Sequence, residues 1–345
     1  MTRHSPLRIG ILGAATIARQ FARDVAGSPL ATLTAVASRG IDKANAFGEA
    51  CGIPARHASY EALLADSEVE AVYIPLPNTM HAPWAIRAAA AGKHVLCEKP
   101  LTVSLHDARA MIEAARRHKV MLLEAYPYLF QPQTAAMMAE ITGPVRHMQA
   151  SFGFTVSNPA GNIRLNPDLG GGALLDAGSY PLSLIRLVMG EAPLTVRAEA
   201  TLTESGVDAS TMATLTFPGG RRAQMSCSMD AGQHRRAVIV GDTFTVETEY
   251  LNHTADGGPH PFGYLASTLR VRRGVAGTLP FGTVAAPTGS GFRFAAEAFA
   301  TMVRGGDTAG FERHAAMSLD IAAMLEAIAL SARSGQPVAL AALAG

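Results

Sequence analysis

Leu7-Arg8-Ile9-Gly10-Ile11-Leu12-Gly13-Ala14-Ala15-Thr16-Ile17-Ala18 is the stretch on which the fold turns. Leu7 to Leu12 reads as a buried strand. Small residues follow it and open a helix running to about Ala26. A strand, a tight turn and a helix N-terminus together make an anion site, because free backbone N–H groups and the helix dipole both favour negative charge. The dinucleotide fingerprint is G-x-G-x-x-G/A. Gly13 fills its first position and Ala18 its third; Ala15 replaces the second glycine, and its methyl is expected to hold a pyrophosphate slightly off. Gly13, Ala14, Ala15, Thr16 and Ile17 are the first candidate cofactor contacts.

The flanking sequence supports this reading. Leu33 to Ala37 is a second strand ending in Ser38-Arg39. About 20 residues past the loop, an acid ordinarily binds the ribose 2′-hydroxyl of NAD. None stands here; Ser38, Arg39 and Lys43 suit a 2′-phosphate, so NADP is favoured with NAD possible. Helices are expected at Tyr60 to Ala65, Ala82 to Ala91 and Leu105 to His118, and strands at Ala71 to Ile74, Val95 to Cys97 and Val120 to Glu124. Such alternation predicts a doubly wound parallel sheet, whose ligands bind at the strands' carboxyl ends. Pro75, Leu76, Pro77 and Asn78 lie at one such end and could wall a nicotinamide. His81 opens the next helix and reads equally as a capping or packing histidine and as a cofactor contact. Glu98-Lys99-Pro100 forms the turn after another strand; Glu98 and Lys99 are candidate cofactor contacts, and proline-fixed Lys99 is also a candidate catalytic cation.

A chain of 345 residues suits two domains. We expect 1–125 as the dinucleotide-binding domain and 126–345 as an α+β substrate and oligomerisation domain, with the C-terminal helices free to pack back on the first. Hydrophobic content of 48% with 17% charged residues describes a globular chain, and a net charge of +1 gives no field for nucleic acid or anionic lipid. Cys51, Cys97 and Cys227 form no CxxC pair, which argues for reduced thiols in the cytoplasm. Arg3, His4 and Arg8 precede the apolar run Ile9 to Ala18 like a weak export signal, but two glycines and the charges at Arg19, Arg23 and Asp24 mark a folded amphipathic helix instead. No membrane, nucleic-acid or metal site is expected.

After Glu124 the texture changes. Tyr126-Pro127-Tyr128-Leu129-Phe130-Gln131-Pro132 reads as a domain crossing, and a helix follows from about Gln133 to Glu140. Segments 145–155, 194–204, 210–217, 222–230, 236–248 and 266–273 have β character and predict a large, mostly antiparallel open sheet. One buried helix interrupts them. Gly170-Gly171-Gly172 leads into Ala173 to Ile185, where Asp176 and Tyr180 lie four apart on one face. A carboxylate in an apolar helix is costly unless paired or used. Gly178 and Pro181 lower helix propensity, so close packing governs there. Helices are expected from Gly291 to Arg304 and Phe311 to Ser334, and a short strand near Val338.

Gly10-Ile-Leu-Gly-Ala-Ala-Thr-Ile-Ala18, Ala35-Val-Ala-Ser-Arg39, Ala71-Val-Tyr-Ile-Pro-Leu-Pro-Asn78, Gly92-Lys-His-Val-Leu-Cys-Glu-Lys-Pro100 and Gly170-Gly-Gly-Ala-Leu-Leu-Asp-Ala-Gly-Ser-Tyr180 together resemble the Gfo/Idh/MocA oxidoreductases. The resemblance runs from about residue 7 to 340. Tyr180, with Asn162-Ile163-Arg164 upstream, is similar to the branch of glucose–fructose oxidoreductase, dimeric dihydrodiol dehydrogenase and NADP-dependent xylose dehydrogenase. Leu129 and Gln131 stand where that pattern usually carries arginine and histidine.

The resemblance implies a homodimer or higher homo-oligomer through the C-terminal sheet. It also implies reversible hydride transfer between nicotinamide and a sugar, cyclic polyol or dihydrodiol. Lys99, Asp176 and Tyr180 are the expected catalytic groups, and Arg164 joins them in binding substrate. A free tyrosine ionises near ~10, so a cation is needed to favour the phenolate; Lys99 is assigned that role, with Lys99 as proton donor the alternative. A dinucleotide-binding regulator without turnover, or a redox-neutral enzyme with tightly held cofactor, are the competing readings.

Overall fold

Strand–helix pairs begin at once: β1 (Leu7–Leu12), α1 (Thr16–Val25), β2 (Ala31–Ala37), α2 (Ile41–Cys51), β3 (Ala55–His57), α3 (Tyr60–Leu64), β4 (Ala71–Ile74), α4 (His81–Ala90), β5 (His94–Glu98), α5 (Leu105–Arg117) and β6 (Leu122–Ala125). The six strands form one parallel sheet in the order β3-β2-β1-β4-β5-β6. The order reverses at β1, the switch point where doubly wound sheets bind ligands. Its core is nearly continuous: Ile9, Ile11, Val36, Val72, Ile74, Val95 and Leu96 are fully buried. Strands covered on both faces require such uninterrupted apolar runs.

This computed structural model describes residues 5–255 and 264–343. The chain divides into two units. The first runs to Thr102 and adds His106–Pro127 and Ser290–Ser318; the second takes Val103–Leu105, Tyr128–Gly289 and the chain from Leu319. The second contains α6 (Pro132–Ala139), β7 (Val145–Thr155), a π-helical turn (Leu174–Gly178), α7 (Ser179–Met189), β8 (Thr195–Leu202), β9 (Asp208–Thr216), β10 (Arg222–Ser228), β11 (Asp230–Gly241), β12 (Phe244–Thr248), β13 (Leu269–Arg273) and β14 (Gly282–Thr283). Next come α8 (Gly291–Gly305), α9 (Thr308–Ser334) and β15 (Val338–Ala339).

The nine-stranded sheet runs β14-β13-β12-β11-β7-β10-β9-β8-β15. β7 and β10 pair in parallel and every other neighbour is antiparallel. In the first unit α8 returns to α1. Phe292 meets Phe21 edge-on at 6.5 Å, and Ser290 donates to Asp24 at 2.9 Å. α9 is by length and composition apolar enough to cross a membrane. Its Ile321, Met324, Leu325 and Ile328 are buried within the protein, as in a core helix.

Four expectations change. The segment 236–248 is two strands, because Asp242-Thr243 turns the chain between β11 and β12; β-branched residues on both sides hide that turn in sequence. Glu98 ends β5 as a buried strand residue, not a turn residue. α2 and β3 are additions, the first with only Ala44, Phe47 and Gly48 buried and the second three residues long. The helix after the triple glycine opens as a π turn, a form seen chiefly as single turns at functional sites.

Candidate active site

The carboxyl end of the parallel sheet carries a cavity of about 310 Å³ lined by Gly13, Ala14, Ala15, Ser38, Arg39, Lys43, Tyr60, Pro75, Leu76 and Pro77, among others. Gly13 holds φ +119°, and a Cβ there would stand 2.8 Å from Leu76. Its N–H donates to Ala37 at 2.9 Å, tying the turn to β2. Ala15 is the N-cap of α1 with φ −82°, a backbone conformation that does not itself call for glycine. No side chain caps α1 and no acid lies in its first turn. Its N-terminal dipole therefore meets no side-chain carboxylate of its own, as an anion site requires. Arg39 and Lys43 are exposed at the rim, and Thr16 is exposed at the helix start. Ser38 is buried and its N–H donates to His57 at 3.2 Å. These groups fit a phosphorylated dinucleotide.

Tyr60 is an unanticipated lining residue. It packs edge-on to Trp84 at 4.8 Å. Burial pushes its pKa up and the Arg39 charge opposes this. Nothing in its sequence context, the first residue of a short helix, marks it out.

His81 and Glu98 act through their neighbours. His81 is fully buried, with Nδ1 2.9 Å from the Pro100 carbonyl and Nε2 2.8 Å from that of Leu76. It thereby ties the Pro75-Leu76-Pro77 loop to the turn after β5. Burial pushes its pKa down, while those carbonyls pull the other way. Glu98 accepts from the Tyr73 hydroxyl at 2.6 Å, and Phe21 stacks on the Tyr73 ring at 3.8 Å. Asn78 begins a short 3₁₀ turn before α4.

Lys99 is half-buried and precedes a cis Pro100. Behind it stands Glu124, which the sequence reading did not single out. Its carboxylate accepts from the Leu101 N–H at 2.7 Å and from the Ser318 hydroxyl at 2.6 Å. Burial pushes its pKa up to about 7; the hydrogen bonds and the Lys99 charge hold it from rising further.

In the second unit, the triple glycine serves the chain's own packing. A Cβ on Gly171 would stand 2.5 Å from the Arg164 carbonyl, and the Gly172 N–H donates to that same oxygen at 2.8 Å. Gly172 also has φ +116° and lies against Asp208. Asp208 accepts from the Leu174 N–H at 2.8 Å and from Thr211 at 2.7 Å, fixing the start of the π turn. Residues 164–166 thus pack directly against the glycine backbone. One consequence is that Arg164 Nε reaches Asp176 at 2.5 Å, so the carboxylate is paired within its own unit.

Tyr180 is buried in an aromatic nest. Phe152 meets it edge-on at 5.2 Å, Tyr128 lies at 6.1 Å, and the Arg235 guanidinium carbon lies 4.6 Å from its ring centroid. Its hydroxyl accepts from Asn252 Nδ2 at 3.1 Å. The Gln131 amide donates to the carbonyls of Asn252 at 2.7 Å and Gly289 at 3.0 Å, which makes Gln131 an anchor for the segment carrying Asn252. By its sequence the loop 252–266 is a candidate pocket wall, of which residues 256–263 lie outside the described residues. Among the described residues, no three His, Cys, Asp or Glu converge as a metal site would need.

Residues 7–126 match the model of an oxidoreductase family with an NAD-binding Rossmann fold, and residues 135–247 match the GFO/IDH/MocA C-terminal domain. The chain is 35% identical to D-xylose 1-dehydrogenase (NADP(+)) 2 of Haloferax volcanii, over 97% of this chain and 100% of that one. It is 33% identical to the trans-1,2-dihydrobenzene-1,2-diol dehydrogenase of Mus musculus, over 68% and 72%. Among solved structures it resembles a 3-ketoreductase from Actinomadura kijaniata in complex with NADP and TDP-benzene. The TM-score is 0.84 at 30% identity, covering 95% of this chain and 98% of that one.

Proposed function

Since the chain belongs to the Gfo/Idh/MocA family of oxidoreductases, we propose that it transfers a hydride between NADP and a CH–OH or C=O carbon of a sugar, cyclic polyol or dihydrodiol. The observation that carries this reading is the cradle above α1, whose helix end is uncapped and acid-free and whose rim bears Arg39 and Lys43. An acid at that rim would repel a 2′-phosphate; two cations attract it.

When bound, the nicotinamide supplies the hydride acceptor or donor. The chain's own residues do the rest. Gly13 to Ile17 present backbone to the pyrophosphate, Ser38, Arg39 and Lys43 hold the adenosine end, and Pro75 to Asn78 wall the ring. Glu98 and His81 keep that wall and the Lys99 turn in place through Tyr73, Leu76 and Pro100. Tyr180 takes the hydroxyl proton during oxidation and returns it during reduction. Asn252 donates to its oxygen and orients the hydroxyl. The Arg164–Asp176 pair orients neighbouring substrate hydroxyls, one partner donating and the other accepting. Lys99 contributes a cation, braced by Glu124 through the Leu101 N–H.

The open face of the nine-stranded sheet supports a homo-oligomer. It carries a depression of about 630 Å³ lined by residues of β7 to β11, including Met212, which is 68% exposed. Met212 gives a second copy an apolar anchor on a face otherwise lined by polar and charged side chains such as Gln149, Arg197, Glu199, Gln224 and Arg236. Free thiols at Cys51, Cys97 and Cys227 fit a reducing, cytoplasmic setting.

The test is a screen of NADP⁺ and NAD⁺ reduction over aldoses, inositols and dihydrodiols. We expect turnover of at least one with NADP⁺ preferred. NADPH binding without any turnover would overturn the reading in favour of a regulatory role.

A further inference from the structure

We infer that Arg235 and Asn252 are positioning residues for Tyr180, with the Arg235 guanidinium serving as the cation that stabilises the tyrosine's negative charge. This rests on the proposed role of Tyr180 as proton carrier.

The placement begins in β11. Its pairing with β7 slips between Asp230 and His234, and such a bulge re-aims the side chains that follow. Gly153 stands opposite His234, and a Cβ on it would collide with that ring and with Ser228. Past the bulge, Arg235 pairs across the strands with Phe152. Its guanidinium carbon lies 4.0 Å from the Phe152 centroid and 4.6 Å from that of Tyr180. Phe152 is itself perpendicular to Tyr180 at 89°. Among the described residues the buried Nε of Arg235 has no hydrogen-bond partner. A half-buried cation is costly unless its surroundings compensate it. Here its compensation is the aromatic faces, and the attraction strengthens as one ring takes on charge.

Asn252 completes the arrangement from another segment. Its amide donates to Tyr180 Oη, a bond that favours the deprotonated oxygen. Its own carbonyl is held by Gln131. Tyr180 is thus fixed on its ring face by Arg235 and at its oxygen by Asn252.

The test measures kcat and KM with NADP⁺ and either D-xylose or trans-1,2-dihydrobenzene-1,2-diol. Arg235→Gln, Arg235→Lys and Asn252→Ala are made in wild-type and Tyr180→Phe backgrounds. Arg235→Gln should lower kcat about tenfold or more while both KM values stay within about threefold. Arg235→Lys should recover most of the loss, since it restores charge but not shape. Neither Arg235→Gln nor Asn252→Ala should cost anything further once Tyr180 is Phe. Equal losses in Gln and Lys, or full additivity with Tyr180→Phe, would overturn the inference and leave a packing role. Should Arg235→Gln fail to fold, Asn252→Ala alone decides by the same additivity criterion. Near-normal kcat in Tyr180→Phe itself would instead remove the premise, a separate and recognisable result.

Discussion

The cofactor cradle and the Tyr180 nest are built on opposite plans. The proposed cradle takes its first residues, Gly13 to Ile17, from one turn between adjacent elements, and it offers backbone N–H groups and a helix dipole. The nest draws Tyr128, Phe152, Tyr180, Arg235 and Asn252 from five separate segments, and its chemistry is carried by side chains. A local site tolerates side-chain changes that keep the backbone. A site assembled from distant segments depends on each sheet register and loop anchor that delivers a member.

The largest expected effect tests the nest. Tyr180→Phe should cut kcat by about 10²-fold, the scale of a lost acid/base, with NADPH affinity unchanged by fluorescence titration. A parallel loss of NADPH affinity would break the separation between the two regions. The next tests the cradle. Gly13→Val forces a β-branched residue to a positive φ, a strain on the order of 1–3 kcal/mol, and drives its Cβ into Leu76. NADPH dissociation constants should rise by about tenfold or more. Ala15→Gly should change little, since Ala15 already holds an ordinary φ; a marked gain in affinity would return weight to the missing second glycine. Arg39→Ala should weaken NADPH severalfold to about tenfold while leaving NADH nearly unaltered, as loss of a phosphate-binding cation predicts. Equal effects on both cofactors would end the NADP assignment.

The smallest effect lies behind Lys99. Glu124 is raised from 4.5 to about 7 by burial. An acid with a raised folded pKa contributes stability below its unfolded pKa and loses it as pH rises through the folded value. Thermal stability should therefore decline between about pH 4.5 and 7 by a few degrees. Glu124→Gln should remove that part of the slope, as seen by scanning calorimetry. Glu70 behaves oppositely: hydrogen bonding to Arg304 leads the causes that bring it down to about 2, so its contribution fades only as pH falls toward that value.

Legibility in the sequence followed the same division. Gly13, Ser38-Arg39 and Pro75-Leu76-Pro77 were readable because strand, turn and helix signals sit side by side and the parallel sheet fixes which ends meet. The Asp176–Tyr180 helix was readable as unusual because a carboxylate, a glycine and a proline share an apolar run. Arg235 was not, because one arginine among Arg235, Arg236, Arg270, Arg272 and Arg273 on exposed-looking strands carries no mark of its own. Asn252 sits in a segment without periodicity. Glu124 looked like a strand's last polar residue, and only the Leu101 N–H and Ser318 hydroxyl show what it holds.

By itself the sequence determined the doubly wound sheet, the glycine turn before α1, the cationic pair Arg39 and Lys43 at a strand's carboxyl end and the placement of Tyr180 on a buried helix. These depend on residue periodicity and on backbone conformations that particular residues allow. Only the tertiary structure decided that the triple glycine packs against residues 164–166, that Arg164 pairs with Asp176, and that Arg235 is laid over the Tyr180 ring. The reason is register: a bulge in β11 and a glycine in β7 decide which side chain faces which, and no single stretch of sequence contains both.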